Sequence, residues 1–141
     1  MAALVAAPVQ AATYQARVSI PGCSVDANGS ETVPAGTDVV VTTSWLTKTR
    51  SELTAYLKYV KLTVSVNSVT VPNVKSYWGE RYFNTAGQDK GWEITWTYSA
   101  GVIGKNASMV VQAKYVQTKT LSDGWNTYPP SKQTDVCTVI G

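Results

Sequence analysis

The sequence predicts an all-β fold: an antiparallel two-sheet β-sandwich carrying one short helix near residues 50–59. Three observations predict it. Turn punctuation recurs along the 141-residue chain, at Pro21-Gly22, Asn28-Gly29, Pro34-Ala35-Gly36, Asn67-Ser68, Lys90-Gly91, Ala100-Gly101 and Asp123-Gly124. Between these marks lie short β-branched and aromatic runs, the pattern of a sandwich or barrel. Charged residues make up only 15%, against about 25% in an ordinary soluble chain, while five Trp and eight Tyr are present. A chain of this length holds one domain with a proper core, read as residues 13–141 behind a short tail, 1–12.

The tail, MAALVAAPVQAA, is small, apolar and uncharged. It lacks the positive start of a secretory signal, yet Val9-Gln10-Ala11 before Ala12 has the look of a cleavage site, so one reading is a signal-peptide remnant. The other is a donor strand, in which Leu4, Val5 and Val9 complete the sheet of a neighbouring molecule. No stretch approaches the roughly eighteen apolar residues of a membrane helix, so no membrane span is expected.

Strands are expected at 13–20, 38–46, 60–66, 69–74, 92–99, 107–118 and 134–140, with shorter edge pieces at 23–26, 30–33 and 76–83. In 60–66, Val60, Leu62, Val64 and Val66 share one face and Lys61, Thr63 and Ser65 the other, which gives one buried and one wet side. Asn67-Ser68 then suits a two-residue hairpin loop, because Asn tolerates positive φ. Over 107–118 the inner set is Met109, Val111, Ala113 and Tyr115. In GWEITWTYSAG, Trp92, Ile94, Trp96 and Tyr98 alternate with polar residues, so these rings belong to the core, with Trp45 packed among them.

One segment breaks the β pattern. Thr49 followed by Glu52 has the form of a capping box, and Leu53, Tyr56, Leu57 and Val60 then recur at helical spacing. The helix over 50–59 should bridge the two sheets and expose Arg50 and Lys58.

Cys23 and Cys137 lie near opposite ends and belong to no C-x-x-C pair; without histidine the usual zinc sets cannot be assembled. A disulfide and a pair of buried thiols are the two options, and the composition of a secreted protein favours the disulfide. The absence of histidine also removes Ser-His-Asp, Cys-His and histidine-base mechanisms. The nine acids are scattered, and Asp26, Glu31, Asp38, Asp89, Asp123 and Asp135 are read as mostly turn residues rather than a catalytic pair. No phosphate loop or EF-hand loop is present. Twelve Lys and Arg are spread singly, so nucleic acid is not an expected partner. Asn28 and Asn106 head glycosylation sequons that matter only if the source modifies asparagine. No catalytic residue, cofactor or metal is assigned.

Tyr77, Trp78, Tyr82, Trp125 and Tyr128 fall in turn-rich segments, where aromatics either close the ends of the core or face outward as ligand or interface anchors.

Cys23, Trp45 and Cys137 resemble the Cys, Trp, Cys framework of immunoglobulin domains, although Asp135 stands where the tyrosine corner would place a Tyr. PGCSVDAN, VPAGTDVVVTTSW, WEITWTY, SDGWNTY and the terminal CTV are similar to Ig-like β-sandwich domains of secreted or surface-attached bacterial proteins. The resemblance implies export to the cell surface and a non-enzymatic structural or adhesive subunit. Such a subunit acts through self-association, as an oligomer or filament, or through contact with other extracellular proteins. The alternative expectation is a carbohydrate-binding module that grips polysaccharide with the loop aromatics.

Overall fold

The computed structural model describes residues 14–84 and 90–141. In chain order the elements are β1 (Gln15–Ser19), α1 (Ile20–Val25), β2 (Ser30–Thr32), β3 (Asp38–Thr47), α2 (Arg50–Tyr59), β4 (Val60–Val66) and β5 (Val69–Thr70). A 3-10 turn (Val74–Tyr77) leads into β6 (Trp78–Asn84), followed by β7 (Lys90–Val102), β8 (Ser108–Gln117), β9 (Leu121–Ser122), β10 (Thr127–Tyr128) and β11 (Ser131–Ile140). One sheet has the strand order β1-β3-β7-β6 and the other β2-β11-β8-β4-β5, with β9 and β10 forming a separate ribbon. The pairings are antiparallel except β1 with β3 and β2 with β11. These two parallel edge strands follow from α1, which carries the chain from one sheet to the other.

The core lies between the sheets. Val18, Val39, Val41 and Trp96 of the first sheet pack with Leu62, Val64, Val111, Ala113 and Val139 of the second. The alternation read from the sequence holds: Ile94 and Trp96 are fully buried, Met109, Val111 and Ala113 line the inside, and Val110 is exposed. Trp96 satisfies its indole N–H on the Val74 carbonyl at 2.7 Å, as a buried indole requires. A second cluster of Leu53, Tyr56, Ile94 and Leu121 sits under α2, which joins β3 of one sheet to β4 of the other. Asn67 and Ser68 both take positive φ, 48° and 67°, the geometry of a type I′ hairpin between β4 and β5.

Several expectations need correction. Residues 23–26, expected as an edge strand, belong largely to helix α1, capped where the Ser19 hydroxyl accepts from the Gly22 N–H, with Pro21 in the first turn. A proline there is pre-organised for the helix, so the fold carries a second helix besides α2. The strand expected at 69–74 ends at Thr70, because Pro72 cannot donate to a ladder and Asn73 turns left-handed at φ 52°. The box at Thr49 is half formed. Its hydroxyl accepts from the Glu52 N–H at 3.3 Å, but the Glu52 carboxylate accepts from the Thr49 hydroxyl at 2.5 Å rather than from the backbone donor. Asp135 is not a turn residue: it lies within β11 and is 3% exposed. Asp38 and Glu31 also stand on strands, β3 and β2.

Cys23 and Cys137 form a disulfide, with Cα atoms 5.5 Å apart, tying α1 to the inner face of β11. Among the described residues no helix is long and apolar enough to cross a membrane.

Candidate functional site

The loop aromatics are brought into ring contacts rather than one platform. Tyr77 packs edge-on against Trp96 and Tyr98, with centroids 5.9 and 5.0 Å away. Trp78 meets Tyr56 at 6.1 Å, and Tyr128 meets Trp45 at 5.0 Å. These three therefore close the ends of the core. Tyr82 leans on Trp92, which Arg50 covers at 5.4 Å, yet Tyr82 stays half exposed. Trp125 is 41% exposed at the tip of the loop between β9 and β10. Leu4, Val5 and Val9 lie outside the described residues.

A different constellation emerges from register. Directly paired residues share a face, so the inner rows of the second sheet can be read across β4, β8 and β11. Val66, Val111 and Cys137 form one row, then Val64, Ala113 and Asp135, then Leu62, Tyr115 and Gln133, then Val60, Gln117 and Ser131. Toward this end the β11 side turns polar, with Asp135 buried and Gln133 and Ser131 exposed at the rim. The first sheet answers with Thr43 and Trp45, whose partners Trp96 and Ile94 lie in the core. The two sheets bound a cleft of about 240 Å³ whose walls include Trp45, Tyr56, Tyr115, Gln117, Gln133 and Asp135. Trp45 and Tyr56 stack at 5.0 Å and nearly parallel, at 14°, on the helix side.

The polar groups of this cleft are oriented by bonds into the fold. The Tyr115 hydroxyl donates to Thr43 Oγ1 at 2.7 Å, linking the two sheets. The Gln117 amide nitrogen donates to the carbonyls of Lys119, Tyr128 and Pro129 at 2.8, 2.8 and 3.0 Å. The Gln133 amide nitrogen donates to both Asp135 oxygens, at 3.2 and 3.1 Å. Only an NH₂ group can make these bonds, so both amide orientations are fixed. Burial pushes the Tyr115 hydroxyl up to about 12; the Thr43 bond opposes the rise and the Asp135 charge adds to it. Burial also raises Tyr56, with Tyr115 contributing, so both phenols stay protonated at neutral pH.

Two other surfaces are notable. Leu57, Val60, Leu62, Val74 and Trp78, with Lys61 and Lys75, line an apolar groove of about 260 Å³ along the outer edge of β4. There β5 pairs only Ser65 and Val66, and Val71 adds one bond to the Val64 carbonyl. Among the described residues, Val60 to Thr63 have no strand beside them on that side. A broad depression of about 830 Å³ is the hydroxyl-rich outer face of the first sheet, bearing Arg17, Thr42, Ser44, Thr95 and Thr97.

No family model, curated protein or solved structure matches this chain. Among the described residues no group of three or more His, Cys, Asp or Glu converges as a metal site. Of the cleft residues, Tyr115 was read as inward-facing and Asp135 as a turn residue, while Gln117 and Gln133 escaped the sequence reading, although a signal was present. Gln133 and Asp135 stand in phase with Cys137 and Val139, so they are polar residues on a core register.

Proposed function

We propose that the chain is a secreted, non-enzymatic structural or adhesive subunit, an Ig-like sandwich that works at the cell surface by association with copies of itself. The disulfide supports an oxidising, extracellular setting. The observation that carries self-association is the unpaired outer edge of β4 beside the apolar groove. Such an edge is a template for an added strand, with side-chain pockets supplying specificity.

The tail 1–12 is the proposed donor, with Leu4, Val5 and Val9 as its apolar residues. The tail leads into β1, at one edge of the first sheet, while the groove touches Trp78 of β6 at the other edge. Those edges are three strand spacings, about 14 Å, apart. A donor at one edge and an acceptor at the other make a head-to-tail contact, which builds a ring where its rotation closes and an open filament where it does not. Removing residues 1–12 should abolish higher-order species in light scattering while the melting curve of the monomer is kept. An unchanged size distribution would overturn the strand-exchange reading.

A further inference from the structure

We propose that the cleft between the two sheets binds a small organic ammonium ion, its charged head on Asp135 and its alkyl part against Trp45 and Tyr56. The first argument is charge. Asp135 is 3% exposed, and among the described residues the ion pairs are Arg50 with Glu80 and Arg81 with Glu93, so no cationic side chain neutralises it. The neutral Gln133 amide is its hydrogen-bond partner. Buried carboxylates are ordinarily paired, because desolvating an unpaired charge is costly. A carboxylate kept in this state at the wall of a cleft is poised for a cation that arrives from outside.

The second argument is the balance of donors and acceptors. Gln117 spends its N–H groups on backbone carbonyls, Gln133 turns an N–H toward the two Asp135 oxygens, and the Tyr115 hydroxyl proton points to Thr43. The carboxylate and amide oxygens of the cleft only accept, and the hydroxyls of Thr43 and Ser131 beside them can donate, so acceptors predominate over donors. A primary ammonium head brings three N–H donors and no acceptor, which matches that surplus.

The third argument is shape. At about 240 Å³ the cleft holds a ligand of small size. At about 30 Å³ per water this equals roughly eight waters. The stacked pair of Trp45 and Tyr56 offers apolar surface to methylenes, and aromatic rings beside a cation add attraction.

The test uses the full chain and n-butylammonium as the probe, with tetramethylammonium as a cation without N–H donors and n-butanol as a neutral control. Saturable chemical-shift changes are expected at the Trp45 indole and at Tyr115 with n-butylammonium, weaker ones with tetramethylammonium and none with n-butanol. Asp135→Asn should weaken n-butylammonium roughly ten- to a hundredfold. The same variant should melt no lower than wild type, since it removes an unpaired buried charge. Should that variant fail to fold, n-butylammonium must still raise the Tm of the wild-type protein with concentration, as ligand linkage requires. Equal binding of n-butanol, undiminished binding by folded Asp135→Asn, or no response of the wild type would each overturn the proposal. None of these readouts depends on self-association.

Discussion

Asp123 shows how one carboxylate can organise a loop. Its Oδ1 accepts from the Trp125 and Asn126 N–H groups at 2.8 and 2.7 Å, and its Oδ2 from the Tyr128 hydroxyl at 2.8 Å. It therefore holds the ring that packs edge-on against Trp45. Burial alone would raise its pKa; the bonds from Asn126, Trp125 and Tyr128 outweigh that and hold it below the ordinary 3.8. Because the folded value is depressed, its stabilisation is fully present above the unfolded value and is lost as pH falls through the folded one. Asp123→Ala should cost about 2 kcal/mol at neutral pH, a Tm drop of roughly 6 °C. The gap to wild type should narrow in melts below pH 3.8; a gap that persists unchanged into strong acid would refute this role. The turn reading of this residue was legible, since Asp before Gly invites local backbone bonds. The same reading failed for Asp135, because residue type carries no phase and only its even spacing from Cys137 and Val139 does.

At the level of elements, hydrophobic period decided what could be read. Helix α2 was legible from end to end because Leu53 and Tyr56 recur at its spacing and Thr49 marks its start; both side chains are buried. Thr49→Ala should lower stability by about 1 kcal/mol, roughly 3 °C in Tm, with the loss of helix protection in amide exchange confined to the first turn of α2. Protection lost across β7 instead would mean that Thr49 supports the sheet rather than the helix end. Helix α1 was not legible. Its six residues include Pro21-Gly22, which read as a turn, and six residues are too few for a period to declare itself. The β4 hairpin was readable because Asn67 favours the positive φ that its turn needs, and β6 falls on the edge piece expected at 76–83, whereas the groove along β4 depends on tertiary packing. The sequence marked Tyr77, Trp78, Tyr82, Trp125 and Tyr128 as a group. Only the fold separates rings that face the core from the exposed Tyr82 and Trp125.

For the molecule as a whole, the bridge between Cys23 and Cys137 spans 114 positions of the 141-residue chain. Its main effect should therefore fall on the unfolded ensemble, which it deprives of most end-to-end freedom, rather than on any one contact. Chain-entropy reasoning assigns about 4.7 kcal/mol to closing a loop of about a hundred residues, a large share of the 5–15 kcal/mol typical of a domain. A local effect is the competing account, because the bridge also pins α1 where the chain crosses from one sheet to the other. The two make different predictions for the double variant Cys23→Ala/Cys137→Ala in urea unfolding. If the bridge acts through the unfolded chain, the midpoint falls steeply and the slope m rises, since the open chain exposes more surface when it unfolds. Amide exchange then quickens across both sheets together. If the bridge acts locally, m stays constant and exchange quickens only through α1 and β2. The position of the cysteines selects the first outcome, and a constant m with a midpoint close to wild type would reject it.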